Sequence, residues 1–431
     1  MSMKGREKPG FRYMGDRIRE SNARSLKNLL ATEPVLTDVD TALAVIPGMT
    51  PDTILHAGPP LTWGRASDAV KRAVRGALIF EGLAADDKGA EALMKSKKIK
   101  LSPNHSHDSV GPMTGIISPS MPVIVTKDMT RGRKIYSTFN EGGGKVLWFG
   151  SVGEETIKRL RWMKDVFAPV MKRAVGMTGG IPVWSILAQG IQMGDECHNR
   201  HAASTNLFLK TIAETLIKMD LPRERALEVY RFIAGNSHFF LNVTMTACKL
   251  AMDAAHGIDD STIVTAMSRN GTDFGIRVSG LGDTWFTAPA PYILDVLYNP
   301  GYSAEDGAPD IGDSSIIETM GLGGFAIAAS PSMASFAGGG VEESISITRK
   351  MQLITTLRNP KFGIPALDFE GTPTGIDLRK VVETGILPSI NSAVVHKSSG
   401  AGQIGAGIVN APYDCFLKAL RAYGERYELA A

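Results

Sequence analysis

Cysteine is scarce: Cys197, Cys248 and Cys415 are the only three in 431 residues. An odd number, far apart and without a CxxC pair, excludes a disulfide framework and a zinc ribbon, so reduced thiols are expected. Long apolar runs are missing as well. The stretches 174–194 and 319–341 carry no charge over about a bilayer's length. The first, however, is interrupted by Gly179, Gly180 and Pro182, and the second by Gly321, Gly323, Gly324, Pro331 and Gly338 to Gly340, so both read as buried segments and no membrane span is expected. The basic start lacks the apolar run and small-residue cleavage site of a signal peptide, so a cytoplasmic location is expected. A strong basic field is lacking too. Net charge is +3, and most of it lies in residues 1–30, where Lys4, Arg6, Lys8, Arg12, Arg17, Arg19, Arg24 and Lys27 outnumber Glu7, Asp16 and Glu20. The remainder is slightly acidic, which excludes nucleic acid as a partner and marks 1–30 as a solvated basic arm or first helix. Repeats of fixed period and low-complexity tracts are also absent, excluding a solenoid.

What is present is ordinary globular composition, 43% hydrophobic and 21% charged, in a chain long enough for two or three packed units. Residues 31–152 read as an α/β domain. They hold short apolar segments separated by turns, a helix near Ser67 to Gly82, and strand-like runs in "KKIKLSPN", "MPVIVTKD" and "KIYSTFNEGGGKVLWFG". From Gly153 the spacing of Ile157, Leu160, Met163, Val166, Phe167 and Val170 predicts an amphipathic helix. Further helices are expected over Trp184 to Gln192, Ala202 to Met219, Pro222 to Ile233 and Phe239 to Ala255, so 153–257 forms an all-helical subdomain. Residues 258–431 return to mixed character, with a helix near Ser344 to Thr356 and another at the C-terminus. The class is α+β: sheet-containing domains with a helical subdomain in the middle.

The densest polar constellation is "GDECHNR", where Asp195, Glu196, Cys197, His198, Asn199 and Arg200 lie between two helices. A capping turn needs one or two such residues, not six. His198 is therefore a candidate proton-transfer group, oriented by Asp195 or Glu196, with Arg200 beside it. "AGNSHFF" places Asn236 and His238 at the next helix junction, against Phe239 and Phe240 as a dry wall. A lone histidine is more often a satisfied core residue, but two junctions that each offer Asn and His point to a shared cleft.

Other motifs carry less. "NEGGGK", with Asn140 and Glu141, lacks P-loop spacing and fits a hairpin as well as an anion nest, and the same holds for the glycines at 321–324 and 402–407. In "RNGTDFGIRVSG", Asn270 and Arg277 suit an anion, while an Asp273–Arg277 surface ion pair is an equally good reading. "DIGDSSIIET" adds Asp310, Asp313 and Glu318, and "GTPTGIDLRK" adds Thr372, Thr374, Asp377 and Arg379; both read first as helix starts, with Asp313 and Thr374 or Asp377 as caps. His105 and His107 would face one side of a strand and, with Asp108, offer an incomplete metal site.

In chain order, "NHSHDSVGPMTGIISPSMP", "STFNEGGGKVLWFG", "GDECHNR", "RFIAGNSHFFLN", "RNGTDFGIRVSGLGDTWFTAPAP", "PDIGDSSIIETMGLGGFA" and "PALDFEGTPTGIDLRKVVETGILPSINSAVVHK" resemble the AllG/YlbE-like family, from about Pro34 to near Ala419. The resemblance implies the large subunit of an oxamate carbamoyltransferase, interconverting oxalurate plus phosphate with oxamate plus carbamoyl phosphate in purine (allantoin) catabolism. It also implies an oligomer assembled with an FdrA-like subunit and a third, smaller one.

Such phosphorolysis needs anion sites, oxyanion donors and an acid for the leaving nitrogen. His198, His238, Asp195, Glu196 and Arg200 are the catalytic candidates. Arg277, Arg379 and the turns at Gly323 and Gly324 would hold anions. Asn140, Glu141, Asn199, Asn236, Asn270 and Asp377 would orient the substrate. Asp195 and Glu196 would alternatively hold a divalent metal, and no other cofactor is called for. Two other classes stay open: a metal-assisted amidohydrolase of a ureide or cyclic amide, and a non-catalytic scaffold subunit.

Overall fold

The computed structural model describes residues 9–427 apart from 294, 338 and 399. Lys4, Arg6, Glu7 and Lys8 of the basic start lie outside the described residues. The rest of that start belongs to a helix, Pro9–Leu30, which is docked rather than solvated along its second half. Asn22, Ser25, Leu26 and Leu29 are buried, Arg17 meets Asp260 at 2.6 Å, and Asn22 Nδ2 donates to Thr262 Oγ1 at 2.9 Å.

The strand Pro34–Thr41 pairs antiparallel with Pro122–Asp128, which also pairs with Lys134–Thr138, while the short Ile181–Pro182 closes the other edge. A separate parallel pair joins Thr53–His56 to Lys100–Pro103. Downstream, the strands Val264–Asn270, Asp273–Val278 and Phe286–Pro289 form a meander edged by Ile311–Gly312. Asp295–Tyr298, Gln403–Asn410 and Ser389–Val395 form a three-stranded antiparallel sheet, and Thr355–Ile364 pairs with Glu370–Ile376. This is the expected α+β class, built on several small sheets.

The predicted helices between 153 and 257 appear as Glu154–Trp162 and Ala168–Thr178, joined by one π turn, then Val183–Gln192, Ala202–Lys218, Arg223–Ala234 and Leu241–Ala254. The last is buried all round, every residue from Leu241 to Met252, the polar Asn242, Thr244, Thr246 and Lys249 included, which makes it a central rather than a surface helix. The helices share their core with the first sheet and with later segments: one apolar cluster runs from Leu26 through Phe139, Phe208 and Phe239 to Ile317 and Leu367. Within it Phe239 stacks on Phe208 at 5.6 Å and on Phe139 at 6.2 Å, so the loop before the central helix is nailed down by aromatic packing. The helix expected near Ser344 to Thr356 spans Val341–Ile354 and runs straight into a strand at Thr355.

Candidate functional site

Where the helical layer meets the first and last antiparallel sheets lies a partly open hollow of about 160 Å3. Cavities near 150 Å3 take a six-membered ring, so the hollow suits a metabolite of a few heavy atoms. Pro112, Met113, Trp148, Phe149, Leu241, Ala393 and Ala406 give it apolar walls. His198, Asn199, Asn236, His238, Asn140, Ser314 and Gln403 give it polar groups, and Gly142 and Gly143 close one side. Among the described residues no lysine or arginine lines it.

The loop between the helices Val183–Gln192 and Ala202–Lys218 is built around its own acids. Asp195 caps the second helix, accepting from Ala203 N at 3.1 Å and Ser204 N at 2.7 Å. Glu196 accepts the backbone N–H groups of His198, Asn199 and Arg200 at 3.1, 2.5 and 2.7 Å, curling the loop about one carboxylate. Burial, reinforced by Glu318 nearby, pushes Glu196 up to about 7, while His198 and the backbone donors oppose the shift. Both acids therefore shape the loop and do not face the hollow. Arg200 stays 42% exposed, 3.8 Å from Asp195 and away from the lining.

His198 is 4% exposed, and its Nδ1 lies 2.6 Å from Glu318 Oε1. The same oxygen accepts from Gly324 N at 3.0 Å and Asn391 N at 3.2 Å, so it acts as an acceptor and Nδ1 carries the proton. That leaves Nε2 as the ring nitrogen offered to the hollow. Gly323 makes the approach possible. A Cβ there would sit 2.1 Å from Glu318 Oε1 and 3.0 Å from the His198 Cβ, and its φ of +59° is left-handed. Gly323 and Gly324 thus serve the Glu318–His198 pair instead of an anion.

His238 is arranged differently. Its Nε2 donates to the Asn199 carbonyl at 2.5 Å, which fixes the loop and occupies that nitrogen. Asn140 and Asn236 clamp each other: Asn236 Nδ2 donates to Asn140 Oδ1 at 2.9 Å, Asn140 Nδ2 donates to the His238 carbonyl at 2.8 Å, and Asn236 Oδ1 accepts from His238 N at 3.2 Å. By contrast, Trp148 Nε1 and Asn199 Nδ2 are buried donors without an acceptor among the described residues. Glu141 accepts from Leu147 N at 2.8 Å and Trp148 N at 3.2 Å and so holds the indole in place, and burial pushes its carboxyl up to about 7.

The other sequence candidates are elsewhere. Asn270 braces its own turn, accepting from Asp273 N at 2.7 Å and donating to Pro59 O at 3.0 Å. Asp377 caps the helix Leu378–Thr384 and pairs with Arg379 at 2.7 Å. Arg277 does not pair with Asp273, which goes to Arg65 at 2.8 Å. It lies over the Trp285 ring at 4.7 Å and meets Asp283 at 3.2 Å. Arg277 and Arg379 are therefore not anion contacts of this hollow. His105 and His107 sit on a 3-10 turn, not a strand, and are separately engaged: His107 with Pro47 O and Ser102, His105 near Lys249. Asp313 is no cap but a buried hub, accepting from Gly58 N at 2.9 Å and from Gly111 N and Asn104 Nδ2 at 3.0 and 2.9 Å. Among the described residues no group of three or more His, Cys, Asp or Glu is arranged to hold a metal ion.

Trp148, Ser314 and Gln403 are the site residues that reasoning from the sequence did not single out, and Glu318 was named there only among the acids of a helix start. Glu318 stood beside the flagged glycines. Trp148 closed the "NEGGGKVLWFG" run, where its indole N–H was the available signal, since a buried indole needs an acceptor.

A family model described as oxamate carbamoyltransferase subunit AllG matches residues 99–314. The oxamate carbamoyltransferase subunit AllG of Escherichia coli (strain K12) is 43% identical over 411 residues, covering 95% of this chain and 98% of that protein. A second E. coli protein, named uncharacterized protein YahG, is 46% identical over 96% of this chain and 88% of its own length. The crystal structure of a conserved protein of unknown function from Enterococcus faecalis V583 superposes with a TM-score of 0.93 at 43% identity, covering 95% of this chain and 98% of that one. Among the described residues no helix is long and apolar enough to cross a membrane.

Proposed function

This chain belongs to the AllG family, and on that premise we propose that it is the carbamoyltransferase subunit whose hollow receives the carbamoyl group of oxalurate and passes it to phosphate. The observation that carries this reading is the pairing of His198 with Glu318 beside a hollow that no described lysine or arginine lines, two of whose lining residues, Trp148 and Asn199, carry buried N–H groups without acceptors among the described residues. An uncharged amide matches such a lining, because its carbonyl oxygen would accept from the two unpaired donors without bringing a charge into a dry site.

In the reaction, an oxygen of hydrogen phosphate attacks the carbamoyl carbon and the bond from that carbon to the oxamate nitrogen breaks. The proton leaves the attacking oxygen, and the departing nitrogen needs one. His198 Nε2 would take the first and return it to the second, while Glu318 holds the ring and stabilises the transient imidazolium. Trp148 and Asn199 would meet the charge that grows on the carbonyl oxygen. His238, Asn140 and Asn236 hold Asn199 and the glycine loop in place.

Assembly with an FdrA-like subunit and a third subunit belongs to the same reading. The chain, purified alone and with its genomic neighbours, is assayed for carbamoyl phosphate from oxalurate plus phosphate. Product from the complex is expected, and its loss by at least about a hundredfold with His198→Ala, the usual contribution of a proton-transfer group. Undiminished turnover by that variant would assign the chemistry to a partner.

A further inference from the structure

Among the described residues no cation lines the hollow, yet oxalurate and phosphate, the reactants in the proposed reaction, are both oxyanions. Between the helices Glu154–Trp162 and Arg223–Ala234 lies an open groove of about 670 Å3 that shares Gly142, Gly143 and Asn236 with the hollow. Its cations are Lys158, Arg159 and Arg231, and its aromatic floor is Trp162 and Phe232, whose rings meet at 5.0 Å. Gly142 and Gly143 line both spaces and add no side chain between them. A Cβ placed at Gly142 would lie 3.8 Å from Asn236 Nδ2 and 3.9 Å from Arg159 Nη1, so the guanidinium reaches the partition itself.

The groove's arginines are only partly engaged. Arg159 gives one N–H to the Glu141 carbonyl at 2.9 Å, and neither it nor Arg231 makes an ion pair among the described residues. Lys158 meets Glu154 at 2.7 Å on the exposed helix face. Of the two carboxylates on the lining, Glu141 is turned inward to the backbone of 147 and 148, and Glu228 stands 3.7 Å from Arg225. Trp162 Nε1 is a further buried donor with no acceptor among the described residues. Two guanidinium groups that make no ion pair among the described residues line the groove, which suits a carboxylate or phosphate.

We infer that this groove is an oxyanion site that holds the charged half of a ligand whose uncharged amide end enters the hollow past Gly142. The inference rests on the proposed reading of the hollow and divides the substrate between two compartments: charge outside on Arg159 and Arg231, carbamoyl group inside on Trp148 and Asn199. The same chemistry fits phosphate and the carboxylate of oxamate, so both are probes.

The test is calorimetric titration of the full chain with inorganic phosphate, with oxamate and with neutral acetamide, in wild type, Arg231→Gln, Arg159→Gln and Trp148→Phe. Arg231 is exposed, so Arg231→Gln is expected to leave the fold intact, while Arg159→Gln is expected also to lose the hydrogen bond to the Glu141 carbonyl. Each arginine variant is expected to weaken whichever anion uses the groove by about tenfold, the loss of one charged hydrogen bond, and to leave acetamide binding unchanged. Trp148→Phe is expected to weaken acetamide and spare the anion. Anion binding that is undiminished in both arginine variants, or absent from wild type while acetamide binds, overturns the groove. Acetamide binding that is absent or insensitive to Trp148→Phe overturns the reading of the hollow instead.

Discussion

At the scale of single residues, two histidines that look alike in sequence are separated by their hydrogen bonds. His198 keeps Nε2 for the hollow because Glu318 takes Nδ1, whereas His238 spends Nε2 on a carbonyl. Glu318→Gln keeps the size of the side chain but offers an amide where a carboxylate held the ring, so the tautomer is no longer enforced. Turnover of the complex is expected to fall by about a hundredfold or more while the thermal midpoint of the chain changes little; equal turnover would remove Glu318 from the mechanism. Burial leaves a second signature. Glu141 is raised to about 7 from an ordinary value near 4.5. Between those two values the unfolded chain has lost the proton and the folded chain has kept it, so stability falls as pH rises through that window. Glu141→Gln is expected to flatten this limb of the stability profile by up to about 3 kcal/mol, read from urea midpoints at about pH 5 and about pH 8. The arginines show where residue chemistry alone misleads. Arg277 and Arg379 have the fork that suits an anion, but Asp283, Trp285 and Asp377 already occupy it, and sequence patterns do not distinguish an internal partner from a ligand.

At the scale of elements, the helices of 154–254 were legible because their apolar residues recur at three- and four-residue spacing and their ends carry polar turns. The meeting of the turns at 195–200 and 235–240 was legible for the same reason, since consecutive helices joined by short loops bring alternate junctions together. The third wall was not. Trp148, Ser314 and Gln403 come from loops and strands whose apposition depends on long-range pairing, which local pattern does not encode. The elements also show which polar residues are structural. Asp195→Ala removes the acceptor for two buried N–H groups at the start of Ala202–Lys218 and is expected to cost about 1–3 kcal/mol in urea unfolding with an unchanged slope. The strand Val264–Asn270 is tied to Ser389–Val395 through Arg269, fully buried, with Nε 2.7 Å from Asp310 Oδ2 and Nη2 2.9 Å from Ser392 Oγ. Asp310→Ala would strand that guanidinium in the core, and a loss of about 3–5 kcal/mol is expected; a cost under about 1 kcal/mol would mean the cation is hydrated after all.

At the scale of the whole molecule, the α+β class and the helical middle follow from composition and periodicity, but the sharing of one apolar cluster from Leu26 to Leu367 is a property of the assembled chain. That shared core is what sets rigid walls around a small space and leaves glycine loops as its thin partition. The proposed function divides along the same lines: a hollow that no described lysine or arginine lines for an amide, and a basic groove outside it. The most direct measurement is a crystal structure of the chain with oxalurate bound. The account predicts the carbamoyl oxygen within about 3.2 Å of Trp148 Nε1 and Asn199 Nδ2, with His198 Nε2 beside the scissile nitrogen. Oxalurate seated at Arg277 and Trp285, with the hollow occupied only by water, would contradict it.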